Sequence, residues 1–143
     1  MTLDVTRFLT AHDEGGTYAA ALAELWSGHK RGHWMWFVFP QLAGLGTSPT
    51  SRFYALAGVD EARAYLDHPV LGPRLVECAT ALSHLPGHDP VAVLGSVDAR
   101  KLRSSMTLFG RAADSGQGGV FRAVLEQYFD GTEDPQTVSR LDA

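Results

Sequence analysis

The sequence predicts an all-α protein, an irregular orthogonal multi-helix bundle or helical array of about eight short helices, in one domain spanning residues 1–143. Three observations lead there. Apolar residues recur at helical spacing along nearly the whole chain. The cap-then-proline device that starts a helix recurs at Ser48-Pro49, Asp89-Pro90 and Asp134-Pro135. The one segment that reads as a strand, Trp34–Phe39, has no convincing second strand to pair with. The segments are too short for an up-down four-helix bundle.

In chain order, Asp4 is placed to cap a short first helix carrying Phe8 and Leu9, and Gly15-Gly16 breaks it. Thr17 is expected to cap a second helix with Tyr18, Leu22, Leu25 and Trp26 on one face, closed by Gly28. Trp34–Phe39 reads as a short buried helix ending before Pro40. Ser48-Pro49 opens a helix with Phe53, Tyr54 and Leu56 that stops at Gly58, and Asp60 caps another, Glu61 to Asp67. His68-Pro69 begins the next, with Leu71, Leu75, Cys78, Ala79 and Leu82 on a stripe; Gly72 and Pro73 fall in its first turn, and Pro86-Gly87 ends it. After Asp89-Pro90, Ser96 or Asp98 opens a longer helix through Leu102, Met106 and Phe109. Ser115 to Gly119 reads as a polar loop. Phe121 to Phe129 is amphipathic and closed by Gly131, and Asp134-Pro135 starts a final helix to Leu141.

The bulk composition bounds the function. With 45% hydrophobic and 20% charged residues the chain is globular in composition rather than disordered. A formal charge of −4 argues against bulk nucleic-acid binding, so any anion site must be a local basic patch. One cysteine, Cys78, excludes an internal disulfide and sits on an apolar stripe, as an inert core thiol would. The start of the chain lacks an h-region, and the longest apolar run, Trp34 to Pro40, is far shorter than the ~20 residues of a membrane helix. The expected setting is cytoplasmic, without a membrane role.

Residues 29–46 carry the candidate chemistry. His29, Lys30, Arg31 and His33 precede Trp34 and Trp36, so that cations and flat rings lie side by side. Charge with donors, plus an indole face, is what a nucleotide-like ligand requires. The competing reading makes both tryptophans core and the cations a solvated helix end. His29 and His33 have metal-ligand spacing, but Gly28 and Gly32 weaken a helix there and no Glu follows His29, so no metal site is expected. Gly44-Leu45-Gly46-Thr47-Ser48-Pro49 is a glycine-rich loop entering a helix, with free N–H groups that suit phosphate, yet it is not a P-loop. In Asp98 to Phe109, helical spacing puts Asp98, Lys101 and Ser105 on one face beside the apolar stripe; Lys101, Ser104 and Ser105 then line a pocket with Lys30 and Trp34, or form a surface ion pair with back-bonded serines. His12, His68, His84 and His88 are scattered and read as structural or exposed, and no nucleophile elbow or carboxylate dyad is present.

The chain resembles the DUF1810 family, a domain of unknown function. The resemblance rests on Lys30-Arg31-Gly32-His33-Trp34-Met35-Trp36-Phe37-Val38-Phe39-Pro40-Gln41, on Gly44-Leu45-Gly46 with Ser48, and on Tyr65-Leu66. It continues through His68-Pro69-Val70-Leu71-Gly72 with Arg74-Leu75, and Asp98 with Lys101-Leu102 and Ser104 to Phe109. It covers about residues 5 to 141 and implies an all-helical fold and no established activity. Gly32 departs from the pattern, which more often has serine; a hydrogen bond from that serine to a ligand would be missing here. Some members carry the label "calpastatin", but that inhibitor is a disordered, repeat-bearing chain and this composition is globular.

Two functions follow as expectations. In the first, the domain binds, with hydrolysis as a further option, a phosphorylated or nucleotide-like small molecule in a basic-aromatic pocket. Trp34 and Trp36 wall the pocket, Lys30, Arg31 and Lys101 hold the anion, and Gln41, Gly44, Gly46, Ser48, Ser104 and Ser105 complete the ligand-binding set. His33 and Lys101 are the candidate catalytic residues, since imidazole titrates near neutrality, and no cofactor is called for. The alternative is a protein-interaction module using the tryptophan–arginine patch, or a structural motif without a ligand.

Overall fold

The structure, a computed structural model, describes residues 4–113 and 118–142. Among these the chain is all-α, with ten helices where about eight are expected. They are α1 (Thr6–Asp13), α2 (Thr17–Ser27), α3 (Met35–Val38), α4 (Pro49–Tyr54) and α5 (Val59–Asp67), then α6 (Leu71–His84), α7 (Pro90–Leu94), α8 (Ser96–Ala112), α9 (Gly118–Phe129) and α10 (Pro135–Leu141). No helix among the described residues is long and apolar enough to cross a membrane.

The helix starts follow from local chemistry. Ser48 accepts from Ser51 N–H, Asp89 from Val91 and Ala92, and Asp134 from Thr137, each with proline at the first helical position. At α6 the cap is an imidazole: His68 Nδ1 accepts from Val70 N–H at 3.1 Å and Leu71 N–H at 3.2 Å. Gly28 closes α2 with φ +80°, a conformation that disfavours any side chain. Gly15 and Gly16, both at positive φ, separate α1 from α2 through a 3-10 turn.

α8 is the hub, packing against α5, α7, α9 and α10, while α6 bridges α2, α5 and α9. Every residue from Ser104 to Gly110 is buried, so the second half of α8 is enclosed on all sides rather than along the expected stripe alone. A relay of rings crosses the core: Phe8 meets Tyr65 edge-on at 5.1 Å, Tyr65 meets Phe109 at 5.4 Å, and Phe109 meets Phe121 at 6.0 Å. Such pairs contribute ~0.5–1.5 kcal/mol each beyond burial.

Several local expectations are corrected. Thr17 is the first residue of α2 rather than its cap; its hydroxyl donates to Glu14 C=O at 2.6 Å. Trp26 is 49% exposed, an edge-on neighbour of His84 and no part of the buried face. α4 ends at Tyr54, and Leu56 forms a parallel bridge with Leu42 instead of a last helical turn. α5 starts at Val59, with Asp60 inside its first turn. Gly118 and Gly119 are helical; the rest of the expected 115–119 loop lies outside the described residues.

Candidate functional site

The loop from His29 to Trp34 is shaped by one carboxylate. Glu24 Oε1, in the last turn of α2, accepts from Arg31 N–H at 2.7 Å, Gly32 N–H at 2.9 Å and Trp34 Nε1–H at 3.0 Å. Burial pushes this carboxyl up, but the two backbone donors, the indole and the Lys30 charge outweigh it and hold it below the ordinary range. Gly32 is pressed against the Trp34 ring, where a Cβ would lie 2.9 Å from the indole Cδ1. Lys30 N–H donates to Val93 C=O at 2.8 Å, docking the loop on α7.

Two lysines and two tryptophans then converge on Asp98 in the first turn of α8. Lys30 Nζ lies 2.8 Å from Asp98 Oδ2 and 5.0 Å from the centre of the Trp34 ring, with a further hydrogen bond to Gly32 C=O. Lys101 Nζ lies 3.6 Å from Asp98 Oδ1 and 4.7 Å above the Trp36 ring. One carboxylate thus faces two ammonium groups whose side chains are only 7% and 19% exposed. The closer pair, Lys30–Asp98, is internal. Lys101 is held less tightly and retains charge not matched at the site.

Past Pro40 the chain crosses back over α8. Gln41 C=O accepts from Leu56 N–H at 2.9 Å and Ala43 N–H donates to Leu56 C=O at 2.7 Å. Gly46 then packs on α4 so closely that a Cβ would lie 2.5 Å from Ser51 Cβ. Between this loop and α8 opens a cleft of about 350 Å³. Gln41, Leu45, Gly46 and Ser51 form one wall; Val97, Arg100, Lys101, Arg103 and Ser104 of α8 form the other; Asp134 and Gln136 close the end. The helical spacing of Arg100, Lys101 and Arg103 brings all three cations to the cleft. Arg103 is committed, with Nε and Nη2 each 3.0 Å from the carbonyls of Thr132 and Glu133. Arg100 has no hydrogen bond or ion pair from its guanidinium among the described residues.

Of the residues singled out in the sequence, Gln41, Gly46, Lys101 and Ser104 meet at this cleft. The others are placed elsewhere. Trp34 is 2% exposed with its N–H engaged, so it is core rather than a pocket wall, whereas Trp36 is half-buried beneath Lys101. Lys30 is spent on Asp98. Arg31 and His33 are exposed on the loop and do not line the cleft, because Glu24 folds the loop back on α2. Ser48 is occupied as the cap of α4. Ser105 is fully buried, its Oγ unpaired among the described residues, and is not on the cleft wall. Gly44 (φ +94°) lies against Arg140, where a Cβ would fall 2.5 Å from Nη1; both border a shallower hollow with Pro135, Gln136 and Ser139.

Arg100 and Arg103 were missed because sequence spacing alone does not reveal which loop covers a helix face. Glu24 gave no signal, since its three donors come from a turn whose shape depends on it. A larger hollow, about 630 Å³ between α8 and α9, is less apt: its Arg111 is closed by a bidentate pair with Glu133, both distances 2.9 Å. Among the described residues no group of three His, Cys, Asp or Glu is arranged to hold a metal.

A second polar cluster lies behind α3. His12, 2% exposed, places Nε2 2.6 Å from Phe37 C=O and Nδ1 3.2 Å from Arg74 Nη1, and stacks on Tyr18 at 5.3 Å. A carbonyl only accepts and a guanidinium only donates, so the ring is neutral with its proton on Nε2. Desolvation lowers its pKa, against the Phe37 hydrogen bond, and Arg74 lowers it further. Here histidine acts as a structural clamp between α1, α3 and α6.

Comparison with known proteins adds the following. A family model described as "Protein of unknown function (DUF1810)" matches residues 2–141. A solved structure, the conserved hypothetical protein Rv1873 from Mycobacterium tuberculosis, is similar with 46% identity and a TM-score of 0.92, covering 98% of this chain and 97% of that one. None of the curated proteins matches.

Proposed function

The chain belongs to the DUF1810 family, and on that footing we propose that it binds a small phosphorylated anion in the cleft between the 41–46 loop and α8. One observation carries the reading: three cations of α8 face a cleft to which the described residues contribute one carboxylate, Asp134, in a protein of net charge −4. Positive charge collected against the overall sign attracts and retains anions. Arg100 offers a guanidinium not engaged by any described group, and its planar fork matches phosphate oxygens. Lys101 is aimed by Trp36 and Asp98 yet only half neutralised. The Gln41 side chain adds a neutral amide.

The finer parts of the expectation narrow. A base would need a free ring to stack on, and no aromatic residue lines the cleft among the described residues, so the phosphate carries recognition. Hydrolysis is no part of the reading, since His33 does not border the cleft. The interaction-module alternative is less favoured, because Trp34 is buried and offers no hot-spot surface.

Calorimetric titration with inorganic phosphate and pyrophosphate at low ionic strength tests it. Binding is expected, weakened ~10-fold or more by Arg100→Ala and by Lys101→Met, the scale of one charged hydrogen bond, and unchanged by Arg31→Ala, whose side chain does not line the cleft. Absence of binding, or binding indifferent to both cleft substitutions, overturns the proposal.

A further inference from the structure

We infer that the ligand of this cleft is a phosphorylated polyol of sugar-phosphate size, its phosphate held by Arg100 and Lys101 and its hydroxyls donating to Asp134. This inference rests on the anion reading above and adds the class of ligand.

The direction of the protons at the closed end carries the argument. Thr137 donates both its N–H, at 2.9 Å, and its hydroxyl, at 2.6 Å, to Asp134 Oδ2. A hydroxyl has one proton. In the 2.9 Å contact between Ser104 and Thr137 the donor is therefore Ser104. Its Oγ is left with lone pairs only. Asp134 Oδ1 receives no hydrogen bond from any described residue. Ser104 and Asp134 both line the cleft, so these two oxygens can only accept, with the Gln136 amide beside them.

The Arg100 and Lys101 head groups on the α8 wall only donate, since guanidinium and ammonium have no acceptor. A bare phosphate satisfies the cations but offers Asp134 a second negative charge. A molecule with an anion at one end and hydroxyl groups at the other satisfies both. The volume, about 350 Å³, is at the small end of the ~300–1,000 Å³ range of ligand sites and suits one sugar ring with its phosphate.

The test is calorimetry on the full chain with methyl phosphate, 2-deoxyribose 5-phosphate and ribose 5-phosphate. In the parent, ribose 5-phosphate is expected to bind ~10-fold or more tighter than methyl phosphate, with the deoxy sugar between them. Asp134→Asn keeps a carbonyl oxygen to cap α10 but puts an N–H₂ where the free oxygen stood. In that variant the ratio should fall towards one, with methyl phosphate bound as well as before or better. Equal affinities in the parent, or an unchanged ratio in Asp134→Asn, overturn the polyol assignment while leaving anion binding in place. Failure of methyl phosphate to bind the parent at all overturns the anion reading itself. The ligand series on the parent decides the matter even if Asp134→Asn does not fold.

Discussion

A single oxygen, Glu24 Oε1, takes three donors, and one of them belongs to the buried Trp34. Glu24→Ala strands those donors, and hydrogen bonds to charged groups are worth ~1.5–3 kcal/mol. Urea unfolding is expected to show a loss of ~2–3 kcal/mol, while Glu24→Gln, which keeps one acceptor, loses less. Acid acts through the same residue. Its folded pKa lies below the ordinary glutamate value of 4.5, so its stabilisation is present above that value and is lost as pH falls through the lower folded pKa. His12 adds a loss at higher pH. Burial against Phe37 and Tyr18, with the Arg74 guanidinium adding to it and the Phe37 carbonyl and Asp13 carboxylate opposing it, sets its folded pKa below 6.5. The unfolded chain therefore binds the proton first. Stability is full above about 6.5 and declines as pH drops below it. Unfolding free energy measured between pH 8 and pH 5, an interval of about three units around the histidine pKa, should fall on the acid side in the parent and flatten in His12→Gln. A parent profile that stays level there contradicts the clamp.

Elements were legible where their causes are local. Ser48-Pro49, Asp89-Pro90 and Asp134-Pro135 specify helix starts within four residues, and α4, α7 and α10 begin where they place them. The failures were long-range. Leu56 left the helical pattern because Leu42, fourteen positions earlier, offered it a bridge. Trp26 kept the right spacing on α2 but met only the edge of His84. Gly72 combines both lessons: its position in the first turn of α6 was readable, while the reason for glycine was not. A Cβ there would collide with the backbone carbonyl of Leu66, at the end of α5, which has no flexible side chain to give way. Gly72→Ala is thus expected to force α5 and α6 apart and to lower stability by ~3 kcal/mol or more, the upper end of overpacking costs. Gly119, in the first turn of α9 with open space around it, serves as the control: alanine there should be neutral or slightly stabilising in the same denaturation series.

Across the whole molecule, the geometry of the candidate site was half legible. Tryptophans beside cations, and a later lysine on a helix, pointed to one region, and Asp98 does join Lys30, Lys101 and both indoles there. What the pattern did not contain was which half of that region is sealed. Fold closure buries Trp34 and Lys30 and leaves the α8 face with Arg100 and Lys101 beside open volume. Cys78 gives a way to read closure and binding together. The thiol is fully buried, and burial pushes its pKa up to about 12, so the native state presents no reactive thiolate. It lies on α6 and lines none of the hollows described above. Labelling must therefore wait for the core to open, and its rate at fixed reagent concentration reports that opening. A ligand that binds only the folded chain lowers the open population by the factor 1 + [L]/Kd. Pyrophosphate at ten times its calorimetric Kd should slow modification of Cys78 ~11-fold, and Arg100→Ala at the same concentration should show much less protection. Rapid labelling of the native parent would instead mean that the α6 face opens independently of the rest of the core.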